Sequence, residues 1–242
     1  MSRLVVTYQA DPPVGCAPAR GVFKDQLDDF SVPVRELLRV GGFTAAVGDV
    51  HTIVEGDGLV VLVGLGQRDR LDLGGLRRAV AALVRASTRT EVLATTLLAD
   101  ASGLPPEAAA ASIASSALSV RYRFDEHRSK PNADGPREMV ILGPADGAID
   151  AAIRRASTVS RGVELARDLV NEPGGTLTPT EFARRCSALA GPQLRVVVHD
   201  LDAVRALGMG GLVGVISGSE EPATFVELHY TPAEPTDRPR LA

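Results

Sequence analysis

The sequence predicts an α/β protein: a mixed sheet flanked by helices, then a linker helix, then a second α/β domain that is incomplete. Three observations carry this. Short runs rich in Val, Ile, Leu and Thr alternate with helix-period segments through residues 1–145. One long apolar-periodic helix follows over 146–171, and strand and helix signals then resume over 172–242 only. Strands alternating with helices build mixed or parallel sheets covered by helices.

The first domain opens with a strand over 4–8 and a short helix over 34–39. Strands at 45–47, 51–54 and 59–65 come next, bounded by Gly and Asp. Leu73–Ala86 is an amphipathic helix through Leu76, Val80, Leu83 and Val84, and 92–98 reads as a strand. An Ala-rich helix over 106–120 is opened by Pro105-Pro106. Pro131-Asn-Ala-Asp-Gly-Pro136 is a loop into the strand Glu138–Leu142, and Gly143-Pro-Ala-Asp-Gly147 closes the domain.

In the linker, Ile149, Ile153, Ala156, Val163, Ala166 and Val170 recur at helical spacing. Asn171-Glu-Pro-Gly-Gly175 then breaks the period. The third segment has a clear start signal. Thr178 is placed as N-cap, Pro179 at the first helical position and Glu181 where a capping box needs it, with Phe182, Cys186 and Leu189 on the inner face. Leu194–His199 is a strand. Asp200 caps a short helix ended by Gly208, Gly208-Met-Gly-Gly211 reads as a turn, and 224–230 is the last strand. Residues 231–240 carry three prolines and no period, a loop or frayed tail. Such a set leaves a sheet edge bare and apolar helix faces uncovered, so it reads as the opening of a domain.

Composition narrows the function classes. Hydrophobic residues make up 45% and charged residues 23%, the balance of a chain that folds, and the net charge of −4 gives no reason to expect nucleic acid or an anionic membrane as partner. Cys16 and Cys186 form no metal or disulfide framework, the N-terminus lacks a signal peptide, and no apolar run approaches the roughly 18 residues of a membrane span. A cytoplasmic location is expected.

Candidate chemistry is sparse. Gly64-Leu-Gly66 follows a strong strand, but Asp69 stands where a dinucleotide fingerprint needs its last Gly, so a tight turn is the preferred reading. His51, His127, His199 and His229 are scattered without metal-motif spacing, and His229 near a strand end is the one that could face a cleft. Ser217-Gly-Ser219 lacks the flanks of a nucleophile elbow. The adjacent carboxylates Asp125-Glu126 and Glu220-Glu221 point to different sides and form no acid–base dyad. Arg121-Tyr-Arg123 with Arg128 and Lys130 is the best basic patch, weakened by Asp125 and Glu126 within it.

Three ordered stretches nevertheless resemble one family. They are Tyr122-Arg-Phe-Asp125 followed by Lys130; Ala166-Arg-Asp-Leu-Val-Asn-Glu-Pro173 with Leu177-Thr-Pro179; and Leu207-Gly-Met-Gly210 with Val215, Gly218-Ser219, Pro222 and the strand over 224–230. In that order they are similar to the leucyl aminopeptidase (cytosol aminopeptidase) metallopeptidases. The resemblance implies an N-terminal domain akin to macro domains over 1–145, a linking helix over 146–171 and the beginning of a metallo-aminopeptidase catalytic domain over 172–242. It implies removal of N-terminal residues from peptides by two divalent cations, Mn or Zn, in a homohexamer. The family's V-G-K-G, D-[ST]-G-G and N-T-D-A-E-G-R strings, which supply its ligands and catalytic lysine, do not occur in this sequence. No catalytic, cofactor-binding or metal residue is therefore assigned to any position, and the chain alone is expected to bind no cation and to be inactive. The alternatives are a macro-like binding module for a nucleotide-type ligand or DNA, and a noncatalytic assembly subunit.

Overall fold

The computed structural model describes residues 4–56, 58–130 and 135–233. The chain divides into two compact units, Met1–Arg167 and Asp168–Ala242.

The first unit holds a six-stranded sheet built from β1 (Val5–Gln9), β2 (Ala17–Phe23), β3 (Val50–Glu55), β4 (Gly58–Gly66), β5 (Val92–Thr95) and β6 (Glu138–Leu142), in the order β1-β6-β5-β2-β4-β3. All neighbours run parallel except β3, which pairs antiparallel with β4. Its helices are α1 (Val32–Val40), α2 (Leu73–Ala86), α3 (Leu97–Asp100), α4 (Pro106–Arg121) and the first part of α5 (Gly147–Asn171). Two cores result. The larger one packs Leu76, Val80 and Leu83 of α2, Ile113 and Ala117 of α4 and Ile149 and Ile153 of α5 with Val63, Leu65, Met139 and Ile141 of the sheet. The smaller one closes Leu38 of α1 on Val22, Ile53 and Leu62. Strand residues pointing to opposite faces, such as Leu62 and Val63, feed opposite cores.

The mixed sheet flanked by helices is the fold class read from sequence, with local corrections. Residues 45–47 form no strand; Ala45 sits at φ 54° and its carbonyl accepts the Gly66 amide. The run over 92–98 ends as a strand at Thr95 and turns into α3, because Thr95 Oγ1 accepts the Leu97 amide. The strand β2 lies centrally although Pro18 and Gly21 mask its pattern. Of the loop expected over 131–136, residues 131–134 lie outside the described residues, as do residues 234–240 of the expected tail.

The second unit contains the end of α5, then α6 (Pro179–Ser187), β7 (Leu194–His199), α7 (Leu201–Ala206), α8 (Gly210–Ile216) and β8 (Phe225–Tyr230). The turn expected at Gly208–Gly211 instead leads into α8, with Gly208 at φ +70° ending the preceding helix. Antiparallel β7 and β8 form a two-stranded sheet. One face of the pair carries Val198, Leu228 and Tyr230, each largely exposed, and Val215 of α8 is 81% exposed.

Candidate functional site

The β7–β8 register decides which polar groups meet in the second unit. Val197 lies opposite Glu227, His199 opposite Phe225 and Arg195 opposite His229, so all six share one face. Glu227 consequently stands between two imidazoles: Oε1 lies 2.8 Å from His199 Nε2 and Oε2 lies 2.7 Å from His229 Nε2. Those contacts, His229 first and His199 second, hold the Glu227 carboxyl below its ordinary value. The sequence reading of scattered histidines is corrected here: His199 and His229 do converge. The missed signal was partly visible, since Glu227 and His229 alternate along one strand, but the cross-strand register was not.

Where β7 ends and β8 begins, a cleft of about 510 Å³ is lined by Asp200, Asp202, Arg205, Ser217, Ser219 and Glu221 among others. Its polar groups are largely engaged. Asp200 accepts the Ala203 amide as the α7 N-cap at 2.9 Å, and Asp202 pairs with Arg205 at 3.3 Å. Ser217 Oγ donates to the Gly214 carbonyl, and Ser219 Oγ accepts the Glu221 amide. The serine pair therefore shapes a turn, as expected from the absent elbow flanks.

At the start of the unit, Thr178 accepts the Glu181 amide, as the N-cap reading expects. The Glu181 carboxylate goes elsewhere than a capping box requires. It accepts from Arg184 at 2.6 Å and Arg185 at 2.8 Å, which lower its pKa to about 2. Arg185 also reaches Glu172, whose side chain is 1% exposed, at 3.2 Å. This bridge ties the Asn171-Glu-Pro173 turn to α6. Burial pushes the Cys186 thiol up, and both Cys16 and Cys186 are free.

In the first unit the remaining candidates are structural. The Gly64 amide donates to the Asp49 carbonyl and the Gly66 amide to the Ala45 carbonyl, so neither is available to a phosphate. A Cβ on Gly64 would meet the Ala46 carbonyl oxygen and come within 2.7 Å of Ala45 backbone carbon. Around the basic patch, Arg121 Nε donates to the Pro136 carbonyl, Arg123 to the Val120 and Tyr122 carbonyls, and Arg128 lies 3.5 Å from Asp125. Arg167 stacks on Tyr122 at 3.8 Å, and Phe124 meets His127 edge-on. His51 packs near Phe43. Among the described residues no helix is long and apolar enough to cross a membrane.

Two family models match in order. The cytosol aminopeptidase family N-terminal domain takes residues 20–131, and the catalytic domain of the same family takes residues 164–242, together well over half of the chain. The chain belongs to the cytosol aminopeptidase family. It is 39% identical over 183 residues to a probable cytosol aminopeptidase of Nocardia farcinica, covering 73% of this chain and 35% of the relative. A probable cytosol aminopeptidase of Syntrophotalea carbinolica is 30% identical over 257 residues, covering 93% and 52% respectively. Among solved structures, the bottromycin maturation enzyme BotP in complex with Mn matches with a TM-score of 0.76 and 32% identity, over 91% of this chain and 46% of that one. A mutant of tomato leucine aminopeptidase, at 21% identity and TM-score 0.78, shares the fold. The chain thus spans between about a third and a half of the length of the relatives it matches.

The family is one of metal-dependent aminopeptidases, and a metal ion that assists hydrolysis needs ligand groups free to hold it. Five of the carboxylates described in the second unit are already engaged. Asp200 caps a helix, Asp202 and Glu181 pair with arginines, Glu172 is held by Arg185, and Glu227 gives one oxygen to each histidine. No step through a metal is derived from these residues.

Proposed function

We propose that these residues form the scaffold-bearing part of a two-metal aminopeptidase that releases N-terminal amino acids from peptides, and that the 242-residue chain on its own does not catalyse this reaction. The family membership carries the first half. The second half is supported by the absence from this sequence of the family's metal-segment strings and by the prior engagement of Glu172, Glu181, Asp200, Asp202 and Glu227 in the second unit. The intact enzyme takes up two divalent cations, Mn or Zn, acts in the cytoplasm and assembles as a homohexamer in this reading; the manganese complex of BotP supports the metal class. In this reading the domains are 1–145, 146–171 and 172–242.

The test is direct. The purified chain, incubated with Mn or Zn and a leucyl chromogenic substrate, releases no leucine above the blank. Sustained release well above the blank, abolished by a chelator, contradicts the inactivity of this chain.

A further inference from the structure

Several arginines of the first unit hold a carboxylate. Arg20, Arg35, Arg39 and Arg68 each hold a carboxylate, from Glu55, Asp28, Glu36 and Asp25 respectively, and Arg154 pairs with Asp150. Arg77, Arg78 and Arg85, all exposed on α2, have no such partner among the described residues. Sequence explains the difference. The 14 residues of α2 include no Asp or Glu, and α4, packed beside it, has only Glu107 in its first turn. Arg78 and Arg85, seven residues apart, lie on the same side of the helix about two turns from each other.

The three guanidiniums form one wall of a groove of about 650 Å³ between α2 and α4. Ser115, Ser116 and Ser119 line the other wall, while Ala81 and Val120 supply apolar surface. Ser115 already donates to the Ser112 carbonyl; the Ser116 and Ser119 hydroxyls make no side-chain hydrogen bond among the described residues. The volume falls within the roughly 300–1,000 Å³ of small-molecule sites. Guanidinium forks match phosphate oxygens, and hydroxyls donate to the oxygens left over.

We propose that the groove between α2 and α4 binds a small organic phosphate, with Arg77, Arg78 and Arg85 on its phosphate oxygens, Ser116 and Ser119 donating to it, and its body resting on Ala81 and Val120. A polynucleotide fits less well. From Arg77 to Arg85 the cationic row runs only about 12 Å along the helix, too short for an extended run of phosphate contacts. The site stands apart from the peptidase reading and does not depend on it.

Titration calorimetry of the 242-residue chain with ADP, inorganic pyrophosphate, citrate and a single-stranded oligonucleotide, at about 50 and about 200 mM salt, tests this. The expected result is saturable one-to-one binding of ADP, tighter than pyrophosphate or citrate, weakened at least about tenfold by R77E/R85E and a few-fold by S116A/S119A, and unchanged by R155E. Should charge reversal lower the melting midpoint, R77Q/R85Q replaces it with the same expected loss. The proposal is overturned if no probe binds saturably, if citrate binds as well as ADP, if the arginine variants leave the affinity within about twofold, or if the oligonucleotide binds more tightly than ADP.

Discussion

Asp100 completes a ladder that β5 leaves unfinished. The Thr96 amide still donates to the Ala19 carbonyl, but two residues further along β2 the Gly21 amide turns to the Asp100 carboxylate at 2.7 Å, which also accepts from Thr96 Oγ1 at 2.9 Å. Burial raises the Asp100 pKa, opposed by the Gly21 amide, the Thr96 hydroxyl and the charges of Arg20 and Arg68. A folded-state pKa above the unfolded value means that this group's titration-linked stability is full below the unfolded pKa and declines as pH rises through the folded one. D100A therefore costs about 1–3 kcal/mol through the stranded amide, and its deficit against the parent chain shrinks as pH rises from about 4 to 7 in urea unfolding. A deficit that is constant or grows over that range contradicts this role. Gly64 is the second decisive residue. Its missing side chain lets the Ala45–Ala46 backbone pass, so G64A forces either a backbone shift or lost hydrogen bonds, at a cost near 3 kcal/mol, about the upper end for overpacking. Thermal melting of the variant checks it. The sequence marked Gly64 only as a turn residue; the approach of a distant loop to it, like the Asp100 to Gly21 bond, is a tertiary fact that no local pattern carries.

Among the elements, those with strong periods and caps were the legible ones. The α2 helix matches the reading at both ends, as do β6 and β7, because amphipathic spacing or a β-branched run is bounded by clear breakers. Thr178 capping α6 was equally readable, and T178A is expected to cost about 1 kcal/mol of second-unit stability by loss of the bond to the Glu181 amide. An unchanged unfolding midpoint would show that the cap is dispensable. Other elements hid for identifiable reasons. In β2, Pro18 and Gly21 suppress the strand pattern, although the strand is buried between β4 and β5. Four of the five residues Gly210–Gly214 are Gly or Val, poor helix formers, so α8 looked like a turn until its surroundings held it. The capping box at Glu181 failed for a competitive reason: two arginines one turn away on α6 offered the carboxylate charge-assisted bonds that a backbone amide could not match. The meeting of His199, Glu227 and His229 depended on register, which single-strand alternation leaves open.

Taken as a molecule, this polypeptide divides into two units of unequal packing. The first unit has two closed cores and a sheet covered by helices. The second has a two-stranded sheet with exposed Val198, Leu228 and Tyr230, which is little buried area for an independent domain. Ordered motifs at 122–130, 166–179 and 207–230 made the family legible from sequence, whereas no residue among them was readable as a metal ligand. We propose that these residues are the scaffold onto which an aminopeptidase site is built. Joining residues 1–230 to the portion of the Nocardia farcinica relative that follows its matched region, and assaying leucine release with Mn, tests it most directly. The account predicts Mn-dependent release from the chimera and none from the 242-residue chain. A folded, Mn-loaded chimera that stays silent, or equal release from the chain alone, would contradict it.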